Sequence, residues 1–472
     1  MRIFFALLMV LFFYGCGGGG SSDTATSEIY PLHKDINVTY FYVGEKGSED
    51  NEYIPNIASA WDGIWMWDFG GVDDPFDRNA SYPYYPDKFT PTENPFYFAL
   101  PYNDLDENGS VKPTQKLIPW YRGETNTTIL KNRWIKIIKT NPDGTKKIAY
   151  AQWEDVGPFG EDDFDYVFGD AKPSNQINGA GLDVSPAVKE YLGLKDYDVI
   201  DWQFVDEGDV PDGPWKNIIT TSPAHWPNFA YIDVNTTWYW QLEGNIRDDI
   251  PAKLYDVDMF DTSVDEIAKL KSEGKIVICY INMGAWESWR EDAGEFPDEV
   301  IGNTLNGYPD EKWLDIRSAA VRNIMLKRLD LAKTKGCDGI EPDNIDGYEN
   351  NTGFDLTYND QFDYNRFIAI EAKKRGLLVG LKNDLDQIND LVDYFDFAID
   401  EECHDYGECD KLTPFILENK PVFNAEYNEM YVNDDNAFKA LCEDAKDRNF
   451  RTIVLPEDLN GSFVKSCDYG DY

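Results

Sequence analysis

The chain has 472 residues, of which 87 are acidic and 43 basic, for a formal net charge of −44. This length is sufficient for two or three domains with hydrophobic cores of their own. Such an acidic surface repels nucleic acid and anionic lipid, so we expect neither as a partner, whereas it attracts a polycation. A requirement for solubility would also account for the charge.

The first residues follow the pattern of an export signal. Arg2 precedes an apolar run over residues 3–14 that is too short for a membrane-spanning helix. Cys16 and a Gly/Ser-rich stretch follow, in an order similar to that of bacterial lipoproteins. We therefore expect a signal peptide over 1–15, a lipidated Cys16 and a tether over 16–26. The protein would then be held at the bacterial cell envelope by lipid alone, with plain secretion as the alternative.

Residues 27–220 show few helical patterns. Turn residues separate β-branched and aromatic runs, and the one clear helical pattern is SPAVKEYLGL at 185–194. This composition predicts a β-barrel-like domain with a single small helix. The Pro-containing segment TTSPAHWPN, at 220–228, precedes a change of pattern and marks the domain boundary.

From residue 228 to 472, eight β-rich runs alternate with helical stretches. One of these stretches begins with a capping box formed by Ser263 and Glu266. Eight alternations predict an α/β fold, a (β/α)8 TIM barrel. The predicted strands span 237–242, 252–260, 275–282, 337–342, 377–382, 395–400, 421–426 and 451–456.

Almost every one of these strands ends in a carboxylate or an amide. Active sites of such barrels form at the carboxyl ends of the strands. The acids and nearby aromatic side chains suggest glycoside hydrolysis, which uses two carboxyl groups. A cation held by Asp343 and Asp346 is the alternative. No histidine or cysteine spacing suggests zinc and no glycine-rich loop suggests phosphate, so we expect no metal and no cofactor. The aromatic candidates are Tyr280, Trp286, Trp289, Tyr348 and Tyr427.

Several longer motifs carry a resemblance to a known family. ICYINMGAWESWREDAGEFP, KWLDIRS, GCDGIEPDNIDGY, VGLKND, FDFAIDEECHDYGEC and KPVFNAEY, in this order, resemble glycoside hydrolase family 114. This is the endo-α-1,4-polygalactosaminidase family. The resemblance implies Asp343 as nucleophile and Glu401 as acid/base, by analogy only, so the roles could be reversed. Barrel geometry alone would have favoured Glu426 as the second acid, and it remains the alternate. Asp400 stands where the family usually has Asn.

With this resemblance, the remaining polar residues at the strand ends become candidates for substrate binding. Glu341 would also be the partner that keeps Asp343 ionised, and the pKa of the proton-donating acid would be raised by repulsion from a closely placed anion. The expected partner is a cationic amino-sugar polysaccharide, cut internally by a monomeric enzyme. A non-catalytic glycan-binding lipoprotein and a hydrolase of another α-linked glycan are the alternatives. The binding candidates are Asp258, Tyr280, Trp286, Glu341, Lys382, Asn383 and Tyr427.

The amino-terminal half carries a second resemblance. YAQWEDVGPFGEDDF, GLDVSPAVKEYLGL and VIDWQFV, within 146–206, are similar to the double-psi β-barrels of RlpA and expansins. The resemblance implies glycan contact by Asp155 and Asp183.

Six cysteines follow Cys16, and an exported chain permits disulfides. We expect one bridge within the ECHDYGEC loop and another that fixes the carboxyl terminus. Cys279 and Cys337 lie within apolar strands and are expected as buried thiols. The expected pairs are Cys403 with Cys409 and Cys442 with Cys467.

Overall fold

The protein is described from a computed structural model, in which residues 30–48, 51, 53–124 and 126–472 are placed. The predicted signal peptide, the lipidated Cys16 and the tether lie outside the described residues. In the part of the chain that is described, none of the helices has the length and apolarity to cross a bilayer.

The first half of the described chain is built from six strands and three short helices. Helix α3 begins at the cap Ser185, whose side chain accepts a hydrogen bond from the Val188 amide, and ends at Gly193 with φ 69°. The elements are β1 (His33–Tyr40), α1 (Trp65–Phe69), β2 (Tyr97–Leu100), β3 (Trp134–Thr140), β4 (Lys146–Val156), α2 (Phe164–Val167), β5 (Ala180–Val184), α3 (Pro186–Leu192) and β6 (Asp198–Val205).

These six strands close into a barrel in the order β1-β5-β2-β4-β3-β6. The pairs β1–β5 and β2–β4 are parallel, and the other pairs are antiparallel. The sequence predicts a barrel-like domain here, and the structure has one; the double-psi arrangement of its strands stays a prediction. The prediction of one helix was incomplete because α1 and α2 are too short, at five and four residues, to show a helical period.

The second half alternates strands and helices. Its elements are β7 (Trp238–Gln241), β8 (Leu254–Asp258), α4 (Val264–Ser272), β9 (Ile276–Asn282), β10 (Ala285–Glu287), β11 (Ile301–Leu305), β12 (Tyr308–Leu314), α5 (Ala319–Lys335), β13 (Gly339–Asp343), α6 (Tyr358–Lys374), β14 (Leu378–Lys382), α7 (Ile388–Leu391), β15 (Phe397–Glu401), α8 (Cys403–Tyr406), α9 (Thr413–Leu417), β16 (Val422–Glu426), α10 (Glu429–Asn433), α11 (Asp435–Arg448), β17 (Arg451–Val454), β18 (Lys465–Ser466) and β19 (Gly470–Asp471).

Eight parallel strands form the centre of this half, in the sequential order β7-β8-β9-β13-β14-β15-β16-β17. Each overlaps one of the eight predicted strands. The first and last strands are joined through side chains: the indole of Trp238 donates to the Arg451 carbonyl at 2.7 Å, and the Tyr469 hydroxyl donates to the Trp238 carbonyl at 2.8 Å. The arrangement is that of a TIM barrel, with all strand ends at one mouth.

The helices around this sheet have defined caps, and the first of them begins where the sequence predicts. Helix α4 starts with the predicted capping box of Ser263 and Glu266, in which both reciprocal hydrogen bonds are present. Helix α5 is capped by Ser318 and ends at Gly336 with φ 94°. A small antiparallel sheet, β10-β12-β11, is inserted after β9 and stands beside the mouth.

The two halves share one hydrophobic cluster. Phe41, Trp65 and Phe69 from the first half are buried in the same cluster as the parallel sheet. The indole of Trp67 donates a hydrogen bond to the Tyr394 carbonyl at 3.2 Å. The predicted boundary at 220–228 falls between the last barrel strand and β7, and the division into separate domains stays a prediction.

The described residues form three disulfides, one more than expected. Cys403 is joined to Cys409 and Cys442 to Cys467, the two pairings that the sequence predicts. The expectation of free thiols at Cys279 and Cys337 was wrong, because these residues form a third bridge. Cys279 lies on β9 and Cys337 just before the neighbouring strand β13, so their Cα atoms lie 6.1 Å apart.

Candidate active site

A lysine at the end of β14 holds three carboxylates at the mouth of the parallel barrel. Nζ of Lys382 lies 3.0 Å from Oε1 of Glu341, 3.1 Å from Oδ1 of Asp343 and 3.2 Å from Oε2 of Glu401. Glu341 and Asp343 are two residues apart on β13 and therefore share a face. Lys382 and Glu401 end the next two strands. Three adjacent strands thus bring together four predicted site residues.

Glu341, Asp256 and Lys382, which lie beneath the two outer carboxylates, are buried. Burial raises the pKa of the Glu341 carboxyl to about 7, although the charge of Lys382 opposes this shift. Burial and the charge of Glu341 hold the pKa of Asp256, on β8, well above its ordinary value. Burial lowers the pKa of the Lys382 ammonium, but the charges of Asp343, Glu341 and Glu401 outweigh it and raise that pKa well above its ordinary value. The ammonium also lies 4.7 Å from the ring centre of Trp240.

Two carboxylates of the cluster reach solvent. The side chains of Asp343 and Glu401 are 19 % and 30 % exposed, whereas that of Glu341 is completely buried. A polymer at the mouth can therefore touch Asp343 and Glu401, and Glu341 acts only through its neighbours. The sequence predicts Glu341 as a substrate-binding residue, whereas the structure places its side chain behind the two exposed acids, out of reach of a substrate.

Further donors orient both exposed carboxylates. Oδ2 of Asp343 accepts from the Tyr280 hydroxyl at 2.8 Å and from the Asn344 amide at 2.9 Å. Oε2 of Glu401 accepts from the Asn383 amide at 3.2 Å, and Oε1 accepts from the Tyr427 hydroxyl.

The two tyrosines at this mouth serve as permanent donors. Burial, followed by the charge of the neighbouring carboxylate, raises the pKa of the Tyr280 and Tyr427 hydroxyls well above the ordinary value. Both therefore keep their protons at neutral pH and can only donate to the carboxylates.

The separation of the two exposed acids is bounded by their common lysine. Because both bond to one nitrogen, Oδ1 of Asp343 and Oε2 of Glu401 lie no more than about 6.3 Å apart. Retaining glycosidases hold their carboxyls about 5–5.5 Å apart and inverting ones roughly 6.5–9.5 Å. This upper limit on one pair of oxygens lies below the separation that inverting enzymes use.

The backbone next to each of these side chains is unusual. Asn344, Asn383 and Glu402 directly follow Asp343, Lys382 and Glu401, and each has a left-handed conformation, with φ of 59°, 49° and 62°. Such φ values are costly for side-chain-bearing residues and persist where surrounding contacts enforce them. They turn the chain sharply at the strand end and leave the last side chain pointing into the mouth.

A cleft of about 480 Å³ opens beside Glu401. Its one basic lining residue, Lys411, is paired with Asp386 at 2.8 Å. Tyr308, Tyr406 and Tyr427 supply aromatic surface. The cleft is therefore anionic and suited to a cation-bearing chain. Its acidic lining residues are Asp346, Glu349, Asp386, Asp400, Glu401, Glu402, Glu408 and Glu457.

Other predicted residues lie away from this contact. Asp258 is buried and paired with Arg290, whose Nη2 lies 2.5 Å from Oδ2, so it is not free to bind substrate. Trp286 is half-buried on β10 and donates its indole N–H to the Ala293 carbonyl at 3.0 Å. Trp289 is more than half exposed.

The alternate acid Glu426 also lies apart from the cluster. It is buried and accepts hydrogen bonds from the His404 amide at 3.0 Å and from Asn424 at 3.2 Å. Glu401 is paired with Ala425 on the neighbouring strand, so the side chains of these two residues point to the same face. Glu426 follows Ala425, and its side chain therefore points to the opposite face. The structure does not bring Glu426 to Asp343.

The cation alternative at Asp343 and Asp346 does not fit these contacts, because both oxygens of Asp343 already accept from Lys382, Tyr280 and Asn344. Among the described residues, two groups could offer three close metal ligands. One is Cys403, His404 and Cys409, in which both thiols form the disulfide. The other is Asp62, Asp68 and His225, in the first half of the chain.

Sequence reasoning missed Asp256, Asn344, Tyr308 and Glu457. Asp256 could have been found, because it stands two residues before Asp258 in a predicted strand and so shares its face. Asn344 follows the nucleophile candidate, and only its left-handed φ turns its amide back onto Asp343. Tyr308 begins β12 and Glu457 lies in the loop after β17, both far along the chain from Asp343, and no local pattern signals them.

Comparison with known proteins identifies relatives of the second half. The model of glycoside-hydrolase family GH114 matches residues 219–471. The galactosamine complex of Ega3 from Aspergillus fumigatus is 38 % identical over 51 % of this chain and 100 % of its own, with a TM-score of 0.48. The glycoside hydrolase domain of PelA from Pseudomonas aeruginosa is 12 % identical over 48 % of this chain and 96 % of its own, with a TM-score of 0.39. A search of curated proteins found no match.

Proposed function

Because this chain belongs to glycoside-hydrolase family GH114, and is therefore a glycoside hydrolase, we propose that it cuts an α-1,4-linked galactosamine polymer internally, with Asp343 and Glu401 as its two acids. The observation that carries the proposal is the Lys382 contact, which gathers three carboxylates and leaves two of them open to the mouth. Glycoside cleavage requires such a pair.

In this proposal Asp343 is the nucleophile. Its carboxylate is held by Lys382, Tyr280 and Asn344, so it is fixed in direction before substrate arrives. It attacks the anomeric carbon while Glu401, which enters this step in its protonated form, gives that proton to the leaving glycosidic oxygen. Glu401, now ionised, then takes a proton from the water that cleaves the glycosyl–enzyme ester and releases Asp343.

The cleft supports an amino-sugar substrate. A galactosamine polymer carries an ammonium group on each unacetylated sugar, and eight carboxylates line the cleft beside Glu401. The net charge of −44 attracts the same polymer from a distance. Tyr308 and Tyr406 offer faces on which sugar rings can stack. Tyr427 is committed to Glu401 and belongs to the acid pair.

The test is depolymerisation by the purified protein. Polygalactosamine chains, deacetylated and acetylated, are incubated with enzyme and sized by chromatography and mass spectrometry. We expect internal cuts, faster on the deacetylated polymer. Asp343→Asn and Glu401→Gln should each lose activity by about 10³-fold or more while remaining folded. Glu443→Gln, an exposed change on α11, is the matched control and should retain activity.

A second candidate is a glycan-binding protein without catalysis. It would retain the polymer in a pull-down and leave its length unchanged, and Asp343→Asn would then have no effect on chain length. A hydrolase of another α-linked glycan would cut that glycan and spare polygalactosamine in the same panel.

For the rest of the chain we propose glycan positioning by the six-stranded barrel and anchoring through lipid on Cys16. Asp155 is buried and Asp183 is half-buried, and burial raises the pKa of these carboxyls to about 7 and about 6. Such groups fit a supporting role more than open glycan contact. Mass spectrometry of the mature protein would show whether the chain begins at a lipidated Cys16 and whether it is a monomer.

A further inference from the structure

A second cluster of charged side chains lies in the first half of the chain, away from the barrel mouth. It brings together Asp62, Asp68 on α1, and His225 from the segment that leads to β7. Nε2 of His225 lies 3.2 Å from Oδ2 of Asp68 and 3.7 Å from Oδ1 of Asp62. We propose that these three residues form a binding site for a divalent transition-metal cation such as Zn²⁺.

The spacing of the three side chains fits such a cation. One ligand atom from each can be chosen so that all lie within 4.8 Å of one another. In a tetrahedral zinc site with bonds of about 2.0–2.1 Å, the ligand atoms are separated by roughly 3.4 Å. The His225–Asp68 contact is already close to this value, so small side-chain movements would complete the geometry, with water in the fourth position.

A second observation, the surroundings of the Asp62 carboxylate, also indicates a ligand at this position. Its side chain has no exposed surface, and its Oδ1 accepts a hydrogen bond from the Ile64 amide at 2.9 Å. Its Oδ2 is buried, and no N–H or hydroxyl group of the described residues donates a hydrogen bond to it. A buried carboxylate oxygen without a partner is unfavourable, and a metal ion would satisfy it.

The surrounding charges also lack balance. Behind the cluster, Lys131 lies 3.1 Å from Glu154 and 4.0 Å from Glu93. Lys131, Lys374 and His225 therefore act on four acidic side chains, those of Asp62, Asp68, Glu93 and Glu154. A divalent cation would offset this excess of negative charge.

The backbone holds the proposed ligands in place. The amide of Gly63 donates to the His225 carbonyl at 3.0 Å, and the His225 amide donates to the Trp61 carbonyl at 2.9 Å. Asp62 and His225 thus sit on two bridged extended segments. The side chain of His225 is 36 % exposed and gives an entry path from solvent. Sites with ligands on fixed backbone are the ones that bind metal tightly.

The position suggests a structural role. Asp68 lies on α1, which packs against α6 of the parallel barrel, and His225 lies on the linking segment. A bound ion would fasten the link to α1 and so stabilise the contact between the two halves. The sequence does not reveal this site, because His225 is far along the chain from both acids and forms no short ligand motif.

The test uses the full mature chain, stripped with a chelator and titrated with Zn²⁺ by calorimetry in excess Mg²⁺. Magnesium occupies ordinary acidic surface sites, whereas imidazole favours zinc. We expect one Zn²⁺ per chain, a rise in Tm with Zn²⁺, and Co²⁺ absorption bands typical of a histidine ligand. His225→Gln and Asp68→Asn should each weaken binding by about tenfold or more. Asp87→Asn, an exposed change of equal charge, should bind as the wild type does.

Two results would overturn the proposal. The first is the absence of saturable Zn²⁺ binding in excess Mg²⁺ by wild-type protein that is folded by circular dichroism. The second is wild-type affinity in both His225→Gln and Asp68→Asn, which would place the ion elsewhere. In either case the three side chains would form a cluster of polar contacts that holds no metal ion.

Discussion

The Lys382 ammonium lies 3.1 Å from Oδ1 of Asp343 and makes the corresponding contact with Glu401 at 3.2 Å. One cation therefore positions both acids of the proposed reaction. Glu341 contacts the same ammonium from the buried side at 3.0 Å. A change in the Lys382 rotamer would therefore leave three carboxylates without their cationic partner.

Lys382→Met should affect both stability and activity. It leaves Glu341, Asp343 and Glu401 facing one another, which should cost about 3–5 kcal/mol in the free energy of unfolding. Loss of the oriented pair should lower kcat/KM by about 10²-fold or more. Urea denaturation and polymer cleavage measure the two effects. The double variant Lys382→Met/Glu341→Gln should recover part of the stability and none of the activity, and exposed Lys439→Met is the control.

The stability of the protein should depend on the proton at Glu341. Its pKa is raised from 4.5 to about 7, so between these values the folded state keeps a proton that the unfolded chain has released. The free energy of unfolding therefore decreases as the pH rises through this window, by about 3 kcal/mol in total. Glu341→Gln should remove this part of the slope in urea titrations from acidic to neutral pH. Parallel curves for the two proteins would contradict the prediction.

We expect that Gly284 cannot be replaced without loss of activity, although it is not one of the residues that contact Lys382. A Cβ added there would lie 1.6 Å from the Asn344 carbonyl oxygen, so Gly284→Ala must displace the residue that donates to Asp343. We expect at least about tenfold loss in kcat and a lower Tm. Gly294→Ala, where an added Cβ meets nothing within 4 Å, is the matched control. Equal activity of the two variants would show that Asn344 has no positioning role.

The reaction should proceed with retention of anomeric configuration. The bound of about 6.3 Å between the two carboxylate oxygens lies below the range of inverting enzymes. Proton NMR of the first products should show the α-anomer before mutarotation. Early appearance of the β-anomer would mean that water attacks directly and that Asp343 serves as base.

The three disulfides should contribute unequally. Cys279–Cys337 closes a separation of 58 residues and Cys403–Cys409 one of six. In the chain-entropy picture, removal of the first pair should cost about 4 kcal/mol and removal of the second about 2 kcal/mol. Paired Cys→Ala variants, compared by urea denaturation, measure the difference. A larger loss for the short loop would indicate that the Cys403 bridge acts through the geometry of Glu401 and Glu402.

The sequence predicts the eight parallel strands well, because each is a short apolar run bounded by turn residues and helical periods. It also places Asp343, Lys382 and Glu401 at strand ends, which topology then brings to one mouth. The side chain of Glu426 faces away from the Lys382 cluster because successive side chains along β16 point to opposite faces. The sequence alone does not show which residues of this strand face the mouth. The Arg290 pairing of Asp258 and the Cys279–Cys337 bridge depend on contacts between distant segments. The sequence shows that these residues are present, but only the structure shows which residues they pair with.

The left-handed residues directly after β13, β14 and β15 limit how this protein can be stabilised by engineering. Replacing Asn344 or Glu402 by glycine would relieve an unfavourable φ, and a search for thermostable variants would therefore select such changes. The same changes would remove the Asn344 amide that donates to Asp343 and would loosen the backbone that follows Glu401. Heat tolerance and turnover thus oppose each other at these positions.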